Sequence, residues 1–258
     1  MAGHNKWSKI KRKKGAADAK RSKVWARIAR DIQVAAREGG GSPDMNARLA
    51  LAVDKAKAEN MPKDNIERAI KRGTGEIEGA DYEELAYEGY APGGVAVFVD
   101  VLTDNTNRTV ADLRSLFTKA GGNLGTSGSV AFLFEQKAVF EVPAAREGGA
   151  PVTEDDLFLL VAEAGAEDLR RDDDGNGAAF VVEAPTEAFG DVQAALAGAG
   201  VEPSEAGLVR VPTTTTALAP DEAARVLRLL DQLDDHQDVQ AVTSTLEVDD
   251  AALAAFDG

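Results

Sequence analysis

Charge is distributed very unevenly along this chain, and this division is the feature that most constrains its fold and function. Residues 1–75 contain 19 of the 29 lysines and arginines but only 8 of the 44 aspartates and glutamates, a net charge of +11. Residues 76–258 carry a net charge of −26. Such asymmetry indicates that the basic part contacts nucleic acid or a membrane, while the acidic remainder provides a solubilising surface.

Composition excludes several classes of protein. The chain has 258 residues and 44% apolar residues, which suits two or three domains with real cores. No apolar run approaches the roughly 18 residues of a membrane span, and no apolar stretch follows the basic N-terminus as in a secretory signal. The absence of cysteine excludes disulfides and thiolate metal sites and fits a reducing compartment. We therefore expect a cytoplasmic protein that has no membrane partner.

The N-terminal part predicts a mobile basic arm of about fourteen residues, followed by three short helices. Apolar residues recur at helical spacing over residues 16–38, 43–59 and 62–72. Ser42 can cap the second helix, and Pro43 fits the first turn of that helix. Gly73 ends the third helix. Each helix has one apolar stripe, which predicts a small bundle around Val24, Ile28, Ile32, Leu49, Ala52, Val53, Ala56, Ile66, Ala69 and Ile70.

From residue 80 onward, strands alternate with helices. The β-rich runs at 94–102 and 129–135 predict strands, with a helix at 108–120 between them. Residues 137–211 have the β-α-β-β-α-β order of a ferredoxin-like unit, so the final helix and strand must complete the earlier α/β unit. The predicted fold class is α+β, with an N-terminal three-helix domain and two ferredoxin-like α/β domains, the third inserted in the second. The predicted limits are 1–78 for the helical domain, 79–136 with 213–250 for the discontinuous domain, and 137–212 for the inserted domain.

Catalytic and metal-binding patterns are weak. The only histidines are His4, in the basic arm, and His236, at the end of a predicted helix. No nucleophile elbow or phosphate-binding P-loop is present, and the glycine-rich run 121–128 is interpreted as a flexible connector. Residues 172–183 match a calcium-loop pattern, but the sequence that leaves the loop is β-type, so a polar turn is the better interpretation. We expect no enzymatic activity, no cofactor and no metal.

The basic segment is the strongest candidate for a binding site, because phosphate contacts require long cationic side chains. Trp7 lies within the segment and either stacks on an unpaired base or packs against the helices, whereas Trp25 is expected in the core. Two further cations close the third helix, where they either bind phosphate or interact with the helix dipole. The candidate contacts are Lys6, Trp7, Lys9, Lys11, Arg12, Lys13, Lys14, Lys20, Arg21, Lys23, Lys71 and Arg72.

These residues do not distinguish DNA from RNA. The sequence contains no clear helix-turn-helix recognition helix, no zinc-finger spacing and no RNA-recognition-motif signature. An unstructured cationic arm with an aromatic residue suits irregular RNA better than readout of a DNA groove.

Five long segments resemble the YebC family, whose members occur in bacteria and, as translational activators, in mitochondria. They are AGHNKWSKIKRKKGAADAKRSKVW (2–25), NMPKDNIERAIKRGTGE (60–76), YEGYAPGGVAVFVDVLTDNTNRT (87–109), GGNLGTSGSVAFLFEQ (121–136) and LLDQLDDHQDVQAVTSTLEV (229–248). The resemblance is weakest over 143–205, and Asn5 stands where the family pattern suggests serine.

The resemblance implies three domains, the third inserted in the second, and a role in gene expression without catalysis. It implies either a DNA-binding transcriptional regulator or a ribosome-associated factor that contacts ribosomal RNA and relieves stalled elongation. Carried onto this chain, it implies that Lys6–Lys23 contacts nucleic acid. The residues themselves do not indicate an oligomeric state, and a monomer is the favoured expectation. The loop residues Asn105, Asn107 and Arg108 are a second candidate contact, and their alternative role is a helix cap with a surface arginine.

Removal of residues 2–14 is predicted to abolish nucleic-acid binding and to leave the fold intact, because the deletion removes six arm cations and no predicted core residue. Gel-shift titration measures the binding, and circular dichroism with thermal melting checks the fold. A matched variant with the same arm residues in scrambled order should bind like the full chain if charge alone acts. Unchanged affinity after truncation would contradict the prediction.

Overall fold

The structure is a computed structural model that describes residues 17–145, 152–172 and 178–257. These residues form two compact units, one made by Leu133–Thr214 and the other by the described residues on either side of it in the sequence. Among them, no helix combines the length and apolar composition needed to cross a membrane.

The described residues contain eight α-helices and eight strands, joined by loops and short 3-10 turns. The helices are α1 (Ala17–Gly39), α2 (Ala47–Ala58), α3 (Lys63–Gly73), α4 (Thr106–Lys119), α5 (Glu154–Glu163), α6 (Phe189–Gly198), α7 (Pro220–Asp234) and α8 (Asp250–Asp257). The strands are β1 (Glu83–Tyr90), β2 (Ala96–Thr103), β3 (Asn123–Leu124), β4 (Phe134–Pro143), β5 (Asp168–Asp172), β6 (Ala179–Pro185), β7 (Glu205–Pro212) and β8 (Val239–Ser244).

The three predicted N-terminal helices are confirmed as α1, α2 and α3. Their apolar stripes meet in one core, to which each fully buried Ile or Leu contributes roughly 1.5–3 kcal/mol relative to an exposed side chain. The core contains Ile28, Ile32, Ala35, Ala36, Leu49, Val53, Ala56, Met61, Ile66 and Ala69.

The prediction that Ser42 caps the second helix is wrong. Residues Pro43–Met45 form a separate 3-10 turn, and the Ser42 side chain makes no capping hydrogen bond. Asn46 caps α2 instead, since its side-chain oxygen accepts a hydrogen bond from the Leu49 amide at 3.1 Å. Its amide nitrogen donates to the carbonyls of Ala35 at 2.8 Å and Gly40 at 2.9 Å. One buried asparagine therefore fixes both the start of α2 and the end of α1.

The first sheet has the spatial order β3-β1-β2-β8, and every neighbouring pair is antiparallel. Apolar residues of α4, α7 and α8 pack with its strands in a single core that includes Val97, Val99, Leu113, Phe117, Leu227, Leu230 and Leu253. The sequence did not predict β1, β3 or α8. The β1 segment EELAYEGY is acidic and contains glycine, so its pairing with β2 establishes the strand rather than its own β-propensity.

The second sheet has the order β5-β6-β4-β7, again fully antiparallel. With α5 and α6 it gives the β-α-β-β-α-β arrangement predicted for a ferredoxin-like unit. All of its elements lie between β3 and α7 in the chain. The second sheet is therefore formed by residues inserted between two parts of the sequence that form the first sheet and its helices. The α+β class with N-terminal helices and two antiparallel sheets is confirmed. The limits of the three domains stay a prediction.

The predicted strand at 129–135 is wrong over most of its length. Residues Ala131–Leu133 form a 3-10 turn, and β4 begins only at Phe134. Val130 and Phe134 are buried while Phe132 is 71% exposed. The segment therefore shows the alternating burial expected of a strand, although residues 130–133 do not pair with a neighbouring strand. The buried Glu88 explains the difference, because its carboxylate accepts hydrogen bonds from the amides of Gly128, Val130 and Ala131 at 2.7–2.8 Å.

The same contacts change the interpretation of the glycine-rich run 121–128. The amide of Gly125 donates to the Glu88 carbonyl at 2.7 Å, and a side chain at Gly122 would overlap the carbonyl oxygen of Tyr90. The run is therefore held closely against β1, and the interpretation as a flexible connector is wrong.

Gly73→Ala is expected to destabilise the N-terminal helices by about 1–3 kcal/mol. A methyl group at this position would overlap the Gln33 carbonyl oxygen and approach the Ala36 Cβ to 2.7 Å, so α1 and α3 would have to separate. Urea unfolding followed by tryptophan fluorescence measures the loss.

Gly190→Ala in α6 is the matched control, because its added methyl group would meet nothing within 4 Å. Circular dichroism should show unchanged or slightly higher stability for this variant, as alanine favours a helix by up to about 1 kcal/mol. Equal effects of the two substitutions would contradict the close packing of α1 on α3.

Candidate nucleic-acid interface

Most of the predicted basic arm lies outside the described residues. This applies to Lys6, Trp7, Lys9, Lys11, Arg12, Lys13 and Lys14, and also to His4. Lys20 lies in the first turn of α1, but its side chain is not among those described. The role of these residues stays a prediction.

The remaining candidates near the start of α1 are exposed. Arg21 and Lys23 both lie on the surface. The Lys23 ammonium is 3.3 Å from an Asp235 carboxylate oxygen, and both side chains are more than half exposed. Pairs of this kind contribute about 0–1 kcal/mol, so Lys23 can exchange Asp235 for a phosphate at little cost.

Other cations of α1 form ion pairs and hydrogen bonds with residues elsewhere in the same unit. Arg27 pairs with Asp234 at 3.1 Å and also donates to the Asp234 carbonyl. Arg30 donates to the Gln237 carbonyl and lies 3.5 Å from an Asp238 oxygen. The charge division seen in the sequence is thus partly neutralised inside the fold, and the basic surface open to a ligand is smaller than the count suggests.

Arg37 and Arg48 add to this internal neutralisation. Arg37 contacts Asp81 at 3.3 Å and donates to the Tyr82 carbonyl at 2.6 Å. Arg48 contacts Glu38 at 2.6 Å and also Glu84. Together with Arg27 and Arg30, these pairs connect the N-terminal helices to the first sheet and its helices.

The C-terminal half of α3 presents cations that are not neutralised. Arg68, Lys71 and Arg72 are exposed, and within the described ranges none of the three forms an ion pair. Residues three and four apart lie on one face of a helix, so these side chains form a single basic patch. The sequence singled out Lys71 and Arg72 but missed Arg68, although its helical spacing from them was visible.

A groove lies between α1 and α3 beside this patch. Its volume is about 210 Å³, and its lining includes Trp25, Met61, Asn65, Arg68 and Arg72. Trp25 was expected in the core, and it does pack against the core of the N-terminal helices, but it is only half-buried and forms part of the groove wall. Its indole N–H donates to the Glu59 carbonyl at 3.0 Å, which fixes the orientation of the ring.

The loop before α4 has a structural role. The Asn105 side chain accepts a hydrogen bond from the Arg108 amide at 3.0 Å and caps α4. Arg108 contacts Asp104 at 2.9 Å and Asp238 at 2.7 Å. The geometry favours the cap interpretation for Asn105 and an internal ion pair for Arg108, whereas Asn107 is exposed.

Asp238 is the acceptor on which this loop depends, and its side chain is 1% exposed. Burial raises the pKa of its carboxyl, but hydrogen bonds from Arg108 and Thr109 and the charges of Arg108 and Arg30 outweigh burial, so the pKa is lowered. The Thr109 hydroxyl donates at 2.8 Å and the Thr103 hydroxyl at 3.2 Å.

His236 follows α7 and makes structural contacts. Its Nε2 lies 3.3 Å from an Asp112 oxygen, and its Nδ1 accepts a hydrogen bond from the Asp238 amide at 3.2 Å. In the ranges that the structure covers, no three His, Cys, Asp or Glu side chains are grouped to hold a metal ion. The predicted polar turn of the calcium-like pattern lies outside those ranges at residues 173–177.

Two protein-family models match most of the chain. The TACO1/YebC N-terminal domain matches residues 5–76, and the TACO1/YebC second and third domain matches residues 82–246. The chain belongs to the TACO1/YebC family. The resemblance seen in the sequence is thereby confirmed.

Full-length relatives of this TACO1/YebC chain are named as regulators. A probable transcriptional regulatory protein of Salinibacter ruber is 52% identical over 98% of this chain and 96% of its own length. One from Brachyspira hyodysenteriae is 48% identical over 97% of this chain and 98% of its own length. A crystal structure of a conserved hypothetical protein from Aquifex aeolicus superposes with a TM-score of 0.81, at 42% identity and over 91% and 93% of the two chains.

Asp238→Asn is expected to lower the free energy of unfolding by about 1.5–3 kcal/mol at neutral pH, because it removes the charged acceptor of Arg108. The pKa of Asp238 is lowered from 3.8, so its contribution is fully present above that value and is lost as the pH falls through the lowered pKa. Urea unfolding of both proteins across acidic and neutral pH measures the difference, which should disappear only in strongly acidic solution.

Asp235→Asn is the control, since Asp235 forms an exposed pair with Lys23. It should cost less than about 1 kcal/mol. An Asp238→Asn effect no larger than that of the control, or one that persists unchanged into strong acid, would contradict the structural role of Asp238.

Proposed function

We propose that this TACO1/YebC-family protein is a non-enzymatic, DNA-binding regulator of transcription that acts in the cytoplasm as a monomer. Its full-length relatives are named probable transcriptional regulatory proteins, and they align over 96–98% of this chain. In this proposal the contact with nucleic acid is made by the basic surfaces of the N-terminal helices.

The observation that carries the proposal is the basic patch of Arg68, Lys71 and Arg72. Most cations of α1 are used in internal ion pairs, whereas these three are exposed and form no ion pair in the described ranges. Long cations without internal partners can neutralise phosphates and release counterions, which supplies a large share of the affinity of nucleic-acid-binding proteins. The arm cations, Lys6 to Lys14, would add further phosphate contacts.

The absence of enzymatic activity is part of the proposal. The two histidines are the main candidates for acid–base chemistry, and His236 is held by Asp112 and the Asp238 amide. This leaves His236 a structural role, and His4 belongs to the basic arm. Loss of a measured activity on substitution of either histidine would contradict this part of the proposal.

A second candidate function is a ribosome-associated factor that contacts ribosomal RNA. The observation that favours it is the groove beside Trp25, because a cleft of this size takes one planar group rather than a duplex. Sequence-specific RNA recognition uses unpaired bases stacked on aromatic side chains. The two functions predict different ligands, duplex DNA in one case and ribosomal RNA in the other, so binding experiments can separate them.

The DNA-binding proposal predicts a gel shift on duplex DNA that survives about 150 mM salt, where the Debye length is about 8 Å. Substitution of Arg68, Lys71 and Arg72 together by Gln should weaken binding by roughly 10-fold or more, because three phosphate contacts are lost. Co-sedimentation with ribosomes from cell lysate, at the same salt, runs in parallel.

The control replaces Arg225, Arg228 and Arg114, which are exposed cations of α7 and α4, and should bind like the unmodified chain. Tight, sequence-dependent DNA binding without ribosome association supports the transcription proposal. Ribosome association that survives this salt, with only weak DNA binding, would replace it by the translation role.

A further inference from the structure

The groove between α1 and α3 brings together an aromatic ring, two arginines and a side-chain amide. One wall carries the half-buried Trp25 ring, held by its hydrogen bond to the Glu59 carbonyl. The α3 side of the lining includes Arg68 and Arg72. Asn65 of α3 is also in the lining, and its side-chain amide has no hydrogen-bond partner in the described part of the chain.

The size of the groove limits what can enter. Its volume of about 210 Å³ lies below the roughly 300–1,000 Å³ of ordinary small-molecule pockets. A single planar ring system fits such a volume, and the apolar surfaces of Ala26 and Met61 complete the lining around Trp25. A base inside a duplex is stacked on both faces and cannot reach an indole ring, whereas an unpaired base can.

The charges at the groove favour an anionic chain. Arg68 and Arg72 are four residues apart on α3, so their Cβ atoms are about 5–6 Å apart on the same face. Two guanidinium groups at this spacing can hold neighbouring phosphates of one strand, and neither is neutralised by an ion pair within the described ranges. An arginine fork also binds phosphate through two parallel hydrogen bonds.

We propose that this groove is a subsite for one unpaired nucleotide of single-stranded nucleic acid. The base lies against Trp25, the Asn65 amide hydrogen-bonds the base edge, and Arg68 and Arg72 bind the flanking phosphates. The inference rests on the proposed nucleic-acid-binding function and adds to it a strand state and a site. It also assigns functional roles to three residues that the sequence did not mark for binding: Trp25, Asn65 and Arg68.

The chain offers a direct optical probe of this subsite. It contains only two tryptophans, Trp7 and Trp25, so Trp7→Phe leaves Trp25 as the single indole fluorophore. Titration of this variant with a short single-stranded oligonucleotide should quench its fluorescence, because the base stacks on the ring. Titrations with a duplex of the same sequence, with a mononucleotide and with inorganic phosphate separate a strand from a free nucleotide or a simple anion.

Arg68→Gln with Arg72→Gln, added to the Trp7→Phe variant, tests the phosphate contacts. Binding of the oligonucleotide should weaken by about tenfold. The slope of log affinity against log salt should fall by about 1.4, because each phosphate contact on a single strand contributes about 0.7. The matched control is Arg225→Gln with Arg228→Gln on α7, which removes the same charge from an exposed helix face and should change neither quantity.

Trp25→Phe and Trp25→Leu test the stacking, with binding followed by anisotropy of a labelled oligonucleotide. Both variants lose the hydrogen bond to Glu59, but only phenylalanine keeps an aromatic face. The leucine variant should bind about tenfold more weakly, whereas the phenylalanine variant should retain most of the affinity. Should the leucine variant fail to fold, the arginine pair, which is exposed, still decides the question.

The outcomes separate this inference from the proposed function. If the full chain binds no nucleic acid at low salt, the proposed function fails. If it binds but Trp25 is not quenched, or the Arg68 and Arg72 variant matches its control, the function stands and the subsite is overturned. Equal quenching by duplex, or quenching by mononucleotide alone, would also overturn the single-strand assignment.

Discussion

Ion pairs join α1 to the residues at the end of α7, and they neutralise part of the basic charge of α1. Acidic residues at a helix C-terminus are unfavourable, because the helix dipole is negative there. α7 nevertheless ends on Asp234, with Asp235 directly after it, and cations of α1 neutralise both. Asp238 then accepts from Arg108 and lies 3.5 Å from Arg30, so one buried carboxylate links α1, α4 and the start of β8.

This internal neutralisation changes how the charge division should be understood. A basic N-terminal part and an acidic remainder suggest a nucleic-acid-binding segment on a solubilising body. In the fold, Arg27, Arg30, Arg37 and Arg48 pair with acidic residues or carbonyls of the same unit. Arg68, Lys71 and Arg72 at the end of α3, by contrast, form no ion pair within the described ranges. The location of a cation in three dimensions, rather than its count, therefore decides whether it can bind a ligand.

The Glu88 carboxylate stabilises the glycine-rich loop by accepting hydrogen bonds from its backbone amides. Three backbone amides at residues 128–131 are buried or partly buried, and such groups cost free energy unless they are hydrogen-bonded. One carboxylate accepts from all three. An acidic residue in the middle of β1 made that strand hard to recognise from sequence, yet it is the residue that fixes the path of the chain from β3 towards β4. A buried acid with three amide donors is a tertiary feature and leaves no local pattern.

The sequence by itself determined the three N-terminal helices, the ferredoxin-like order of the second sheet and the family, because apolar periodicity and long motifs are local properties. It also located the basic arm and the end of α3. Only the tertiary structure decided that Asn105 and Arg108 serve the cap and an ion pair, that Trp25 lines a groove beside Arg68, and that β1 is a strand. The physical reason is that each of these depends on partners far away in the chain: Asp238 for Arg108, α3 for Trp25 and β2 for β1.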